Sequence, residues 1–100
     1  MKLKITPVTR NTFDVYRDAA HVAVLHVRDN GEVLAAEQRY EFEITIPQTS
    51  PDPPEGACEY GSSIRHAFII AQLAWINRGL PTFTFTEWDQ IHAVALRHRF

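Results

Sequence analysis

The segment from residue 62 to residue 81 constrains the fold more than any other part of the chain, because it has the signals of a complete apolar helix. Ser62 or Ser63 can cap its first turn, Gly79 lies just past its last turn, and Pro81 follows. Only Gln72 interrupts its apolar middle. The sequence therefore predicts a helix over residues 62–78.

This predicted helix has two apolar faces, whereas a surface helix needs only one. At about 100° per residue, one stripe contains Ile64, Ala67, Phe68, Ala71 and Trp75, and a nearly opposite stripe contains Ile69, Leu73, Ile76 and Leu80. One stripe is expected to pack on a sheet. The other is either covered by a C-terminal helix or left open for a partner or a second copy of the chain, since exposed apolar patches usually indicate association.

The first 46 residues alternate as strands do. A short strand is predicted over residues 2–8, and a second over residues 13–28 with a bend near Asp18. Asn30-Gly31 then predicts a two-residue type I′ hairpin, because both central residues of that turn need positive φ. The expected register pairs Asp29 with Glu32, Val27 with Leu34, Leu25 with Ala36 and Ala23 with Gln38.

The remaining segments complete the predicted fold. The third strand continues to Ile46, with Phe42 and Ile44 inward, and residues 47–61 are rich in proline and glycine and predict an irregular loop. Residues 82–85 alternate like a short edge strand, and residues 87–98 predict a second helix with capping-box spacing at residues 86–89. We expect one α+β domain over residues 1–100, with an antiparallel three- to four-stranded sheet packed against two helices.

Composition limits the environment of the protein. The one cysteine, Cys58, cannot form an internal disulfide and fits a reducing compartment. No apolar run approaches the ~20 residues of a membrane helix, and the N-terminal residues lack the apolar core of a signal peptide. We expect a cytoplasmic protein with no membrane contact. A formal net charge of −2 argues against direct nucleic-acid binding.

The histidines do not follow a metal-ligand pattern. His21 and His26 are five residues apart on a predicted strand and are expected on opposite faces, with His21 inward, opposite Tyr40. Cys58 and His66 lack the two further ligands of a structural zinc site. We predict no metal site.

The sequence also lacks a catalytic signature. Cys58 has an acidic neighbour that raises a thiol pKa, and Glu41 and Glu43 are typical of a solvated strand face. The four glycines form no phosphate-binding loop, and no nucleophile elbow or zinc-protease helix is present. We predict no enzyme activity and no cofactor.

The hairpin around Asn30-Gly31 and the helix from Ser62 to Arg78 give the chain an architecture that resembles small phage-encoded inhibitor proteins of the anti-CRISPR kind. Such proteins share no common motif, so the resemblance transfers no residue. It implies a stoichiometric inhibitor that occupies a surface of a host nucleic-acid-guided nuclease complex.

These observations predict a protein that functions by binding another protein or a ribonucleoprotein complex. The candidate contact residues are Arg28, Glu32, Arg39, Glu41 and Glu43, on the strand face and the hairpin tip. The alternative is a structural subunit that forms a homodimer through Ile69, Leu73 and Ile76. The sequence leaves both possibilities open.

Overall fold

A computed structural model describes residues 2–31, 35–47 and 55–97. It confirms an α+β fold with an antiparallel sheet and two helices, but the sheet has five strands rather than three or four. The strands are β1 (Leu3–Pro7), β2 (Thr12–Arg17), β3 (Ala20–Asp29), β4 (Tyr40–Thr45) and β5 (Gly56–Gly61), and the helices are α1 (Ile64–Asn77) and α2 (Phe85–Arg97). Strand order in the sheet follows the chain, so every neighbouring pair is antiparallel.

The predicted long second strand is two strands separated by a tight turn. Asp18 has a φ of 55°, a conformation that aspartate tolerates better than most residues. Its backbone N–H donates to the Lys2 carbonyl at 2.8 Å, and its carboxylate accepts from the Lys2 N–H at 3.0 Å. The expected bend is therefore a complete chain reversal that separates β2 from β3.

The expected hairpin register at Asn30-Gly31 is wrong. Val27 faces Phe42 and Leu25 faces Ile44, so β3 pairs with β4 and not with the residues directly after the turn. Gly31 has a φ of 69°, but the connection is long: it includes a 3₁₀ turn at Ala36–Gln38 and closes with Asn30 N–H donating to the Arg39 carbonyl at 2.7 Å. The predicted partners Glu32 and Leu34 lie outside the described residues. The observed pairing buries Phe42 and Ile44 completely, and it gives Leu25 the partner Ile44 in place of the smaller Ala36.

Strand β5 lies where an irregular loop was expected. Its glycines permit the strand to pack closely against its neighbours. A Cβ atom on Gly61 would lie 2.5 Å from the backbone nitrogen of Ala67, so β5 meets the start of α1 at a distance that only glycine allows. Ala57 is buried and pairs with Ile44. The described part of the predicted loop is thus the fifth strand, and residues 48–54 lie outside the described residues.

Helix α1 confirms the helix predicted over residues 62–78. The Ser63 hydroxyl accepts from the His66 N–H at 3.1 Å and caps the first turn, and Gly79 follows the helix with a φ of 70°. The stripe that includes Phe68 and Trp75 is buried, and the Trp75 indole N–H donates to the Pro81 carbonyl at 2.6 Å. This bond satisfies the indole of a fully buried side chain.

Helix α2 begins two residues earlier than predicted, and the expected strand over residues 82–85 is absent. Its capping box is formed by Thr84 and Glu87 instead of Thr86 and Asp89: the Glu87 carboxylate accepts from the Thr84 N–H at 2.7 Å, and the Thr84 hydroxyl accepts from the Glu87 N–H at 3.2 Å. Arg17 at the end of β2 donates to both carboxylate oxygens of Glu87, at 2.9 and 3.0 Å. This tertiary ion pair holds the start of α2 against the sheet.

Both helices pack on one face of the sheet, which we call the inner face. Its fully buried strand residues alternate along each strand and include Val15, Leu25 and Phe42. Trp75 of α1 and Ile91 of α2 complete the same cluster. The core therefore lies between the sheet and the helices, and the opposite face of the sheet carries neither helix.

Candidate protein-binding surfaces

The opposite face of the sheet, here called the outer face, is formed by side chains that alternate with the buried ones. Its described members are Lys4, Thr6, Thr12, Asp14, Tyr16, His21, Val24, His26, Arg28, Glu41, Glu43, Thr45, Cys58 and Tyr60. They include charged residues of both signs, two tyrosines and two histidines. Three of the predicted contact residues, Arg28, Glu41 and Glu43, lie on this face.

Glu41 organises one end of the outer face. Its Oε1 accepts from the Cys58 thiol at 3.2 Å and from the Tyr60 hydroxyl at 3.4 Å, and its Oε2 lies 3.7 Å from Arg28 Nη1. We call these four residues the Glu41 cluster. The pairing of β4 between β3 and β5 creates it, because Arg28 and Tyr60 both lie opposite Glu41 on neighbouring strands. The carboxylate is thus held by groups from two other strands.

The environment of Cys58 disfavours the thiolate. Burial raises the pKa of the thiol to about 12, and the hydrogen bond and negative charge of Glu41 act in the same direction. The negative charge of Glu41 also raises the pKa of the Tyr60 phenol. Both groups are therefore protonated donors at neutral pH. A lowered pKa favours a nucleophilic thiol, whereas here the raised pKa favours the protonated thiol that donates to Glu41.

His21 lies on the outer face, and the expectation of an inward position opposite Tyr40 is wrong. Val15 pairs with Ala23 but Tyr16 pairs with His21, so β3 contains one extra residue at this point. The irregularity shifts the alternation by one and brings His21 to the same face as His26. His21 Nε2 lies 3.0 Å from Asp14 Oδ1, and its ring stacks on Tyr16 with centroids 4.9 Å apart.

Two further histidines, His26 and His92, have a buried ring nitrogen. His26 pairs with Thr12 and Glu43 in the middle of the sheet, and His92 stacks on Phe68 with ring centroids 4.7 Å apart. The Nε2 atoms of both are buried and have no hydrogen-bond partner among the described residues. Within the same residues, no three histidine, cysteine, aspartate or glutamate side chains are grouped closely enough to hold a metal ion.

Arg39 directly precedes β4, near the hairpin tip. Its Nε donates to Asp29 Oδ1 at 3.3 Å, and its guanidinium lies 5.1 Å from the centre of the Tyr40 ring. The pKa of the Asp29 carboxyl is lowered by two hydrogen bonds, of which the one from the Gly31 N–H has the larger effect and the one from Arg39 the smaller. These contacts of Arg39 involve no residue of the Glu41 cluster, and Glu32 lies outside the described residues.

The second apolar stripe of α1 is uncovered, so the predicted alternative in which the C-terminal helix covers it is wrong. Ile69, Leu73 and Ile76 retain 42%, 57% and 44% of their surface, whereas Leu80 of the same stripe is buried. Helix α2 contacts the other side of α1, where Phe68 meets Trp88 edge to face with centroids 5.9 Å apart. We call Ile69, Leu73 and Ile76 the α1 apolar face.

The sequence did not predict that Cys58 and Tyr60 lie on a strand of the outer face, because the prolines and glycines of residues 47–61 indicated a loop. It also did not predict the Arg17–Glu87 pair, which joins residues far apart in the chain. The local signal for Glu87 was its capping-box spacing, three residues after Thr84. The Thr86–Asp89 pair has the same spacing, so the sequence alone did not distinguish the two caps.

Two shallow concavities lie elsewhere on the molecule. One, of about 240 Å³, is lined by Leu3, Ile5, Gln90, Ala93, Val94 and Arg97 between β1 and α2. The other, of about 330 Å³, is lined by Glu55, Gly56, Arg78 and Leu80. Neither lining contains a serine, cysteine, threonine or lysine nucleophile beside a general base.

Comparison with known proteins found no matching family model, no matching curated protein and no matching solved structure. Neither described helix is long and apolar enough to cross a membrane.

Proposed function

We propose that this protein functions by binding another protein through the outer face of its sheet, without catalysis. The observation that carries the proposal is the Glu41 cluster, in which Arg28, Cys58 and Tyr60 from two neighbouring strands surround one carboxylate. Strands are rigid supports, and such a support lowers the entropy that a contact surface loses on binding.

The residue types of the cluster suit a protein interface. Tyrosine and arginine supply much of the energy in binding hot spots, and Tyr60 keeps 45% of its surface exposed. Glu43 and His26 continue the face beside the cluster. Because charges of both signs are interleaved on the outer face, a complementary partner is favoured over a uniformly charged polymer.

Variants of the cluster test this proposal in a lysate of the native source. The tagged full chain captures a partner at a fixed stoichiometry, and Tyr60→Ala and Arg28→Ala each weaken that capture at least tenfold, the size expected for hot-spot residues. Asp89→Asn is the matched control, because Asp89 is an exposed charged residue on α2. A partner retained equally by all four proteins would contradict the outer face as the contact surface.

We propose as the narrower role that of a stoichiometric inhibitor of a host CRISPR nuclease complex in the cytoplasm. Its support is the size of the chain and the antiparallel sheet beside two helices. Titration into a reconstituted nuclease complex from the same source is expected to abolish DNA cleavage at one protein per complex. Full cleavage in the presence of excess protein would refute this role.

A further inference from the structure

We propose that the α1 apolar face is the dimer interface of this protein, with the α1 helices of two copies packed antiparallel about a two-fold axis near Leu73. This surface is separate from the Glu41 cluster, so the inference does not rest on the proposed function. In the proposed dimer, a second copy of the chain covers three large aliphatic side chains that α2 and the sheet leave exposed.

The spacing of the three residues is self-complementary. Ile69 and Ile76 lie four and three residues from Leu73, which is about 6 Å and 4.5 Å along a helix axis. Reversing the helix about Leu73 almost reproduces the pattern. An antiparallel partner therefore places the partner's Leu73 beside Leu73 and the partner's Ile76 beside Ile69, as a two-fold interface requires.

The charges of α1 favour a second copy in this orientation. The helix contains no acidic residue, and the arginine Arg65 borders the α1 apolar face, with His66 beside it in the same turn. An antiparallel arrangement brings Arg65 toward the C-terminal end of the partner's α1, where the helix dipole is negative. A parallel arrangement would instead bring the two Arg65 side chains together.

Arg78 does not oppose this approach. Its guanidinium donates to the Gly56 carbonyl of its own chain, on the side of α1 that faces β5. Arg78 therefore does not place a competing cation at the apolar face near the end of the helix that receives the partner's Arg65.

The dimer would leave both outer faces accessible. At about 100° per residue, the α1 apolar face lies nearly opposite the buried stripe that contains Ala71 and Trp75. It therefore points away from the sheet. Two copies joined through α1 would expose their outer faces on opposite sides and form a bivalent molecule, which gains avidity for a repeated partner.

Sedimentation equilibrium of the full chain over a wide concentration range tests the dimer. We expect a mass that approaches twice 11.5 kDa, and a mass of one chain for Leu73→Glu. Val8→Glu is the matched control, since Val8 is an equally exposed aliphatic residue outside α1 and its replacement should leave the dimer intact. A single-chain mass for the unaltered protein at every concentration would overturn the proposal.

Cysteine cross-linking tests the orientation in a Cys58→Ser background. Leu73→Cys lies near the proposed axis and should form an intermolecular disulfide on mild oxidation, whereas Arg65→Cys should not. Efficient cross-linking through Arg65→Cys would show a parallel arrangement and refute the antiparallel one. Retention of the dimer by Tyr60→Ala would show that the two surfaces are independent.

Discussion

Replacing Glu87 by alanine should destabilise the protein by about 3 kcal/mol. Glu87 is 7% exposed, accepts two hydrogen bonds from Arg17 and caps α2 through Thr84. Loss of a helix cap costs about 1 kcal/mol, and a partly buried carboxylate that bonds a guanidinium adds about 2 kcal/mol. The Arg17 side chain retains 22% exposure, so water compensates part of its lost partner and keeps the cost below that of a fully buried pair.

Urea unfolding followed by the fluorescence of the buried Trp75 and Trp88 measures this cost. Thr84→Ala is the control, because it removes only the hydroxyl that accepts from the Glu87 N–H and should cost about 1 kcal/mol. The slope of the free energy against urea should remain unchanged if both variants unfold in the same two-state transition. A Glu87→Ala variant within about 0.5 kcal/mol of the unaltered chain would refute the argument.

The acid dependence of stability gives a second readout of the same pair. Hydrogen bonds from Arg17 lower the pKa of the Glu87 carboxyl from its ordinary value of 4.5. The unfolded chain then binds the proton more readily than the folded one, so the contribution is complete above pH 4.5 and is lost as the pH falls through the lower folded pKa. Glu87→Gln should lack this part of the acid destabilisation. An identical pH profile for both proteins would refute the assignment.

Two other predictions concern β5. Gly61→Ala should cost about 2–3 kcal/mol in urea unfolding, since its Cβ would meet the Ala67 backbone at 2.5 Å. Gly31→Ala, whose Cβ would have nothing within 4 Å, should cost only the positive-φ penalty of about 1 kcal/mol. Equal costs for the two variants would contradict the packing argument. Cys58 should react with a disulfide reagent at neutral pH at least tenfold more slowly in the folded chain than in the urea-unfolded chain, because burial raises the pKa of the folded thiol to about 12. Glu41→Gln should speed the reaction of the folded chain. Equal rates in the folded and unfolded chains would contradict the burial and hydrogen bonding of the thiol.

The two surfaces for which we propose binding lie on opposite layers of the chain. The outer face offers hydrogen-bonding and aromatic groups held by strands, and the α1 apolar face offers aliphatic side chains on a helix. Only the second has the chemistry of a permanent interface, since obligate dimer interfaces are more apolar than transient ones. In the two proposals, α1 mediates self-association and the sheet recognises the partner.

The local features of this protein were predictable from its sequence because their causes are local. Ser63 caps α1 through the backbone three residues away, and Gly79 ends it with a φ that glycine adopts freely. The alternation that makes Phe42 and Ile44 inward is likewise a property of one strand. These signals were sufficient for the class of fold and for the two apolar faces of α1.

The tertiary structure decided what depends on distant partners. Asn30-Gly31 indicated a turn, but the burial of Phe42 and Ile44 against β3 selected the register. Two threonine–acid pairs have the spacing to cap α2. The Thr84–Glu87 pair forms the cap, and Glu87 is also the residue that Arg17 bonds from β2. The Glu41 cluster and the open α1 apolar face arise in the same way, because neither exists until β5 joins the sheet and α2 packs on the other side of α1.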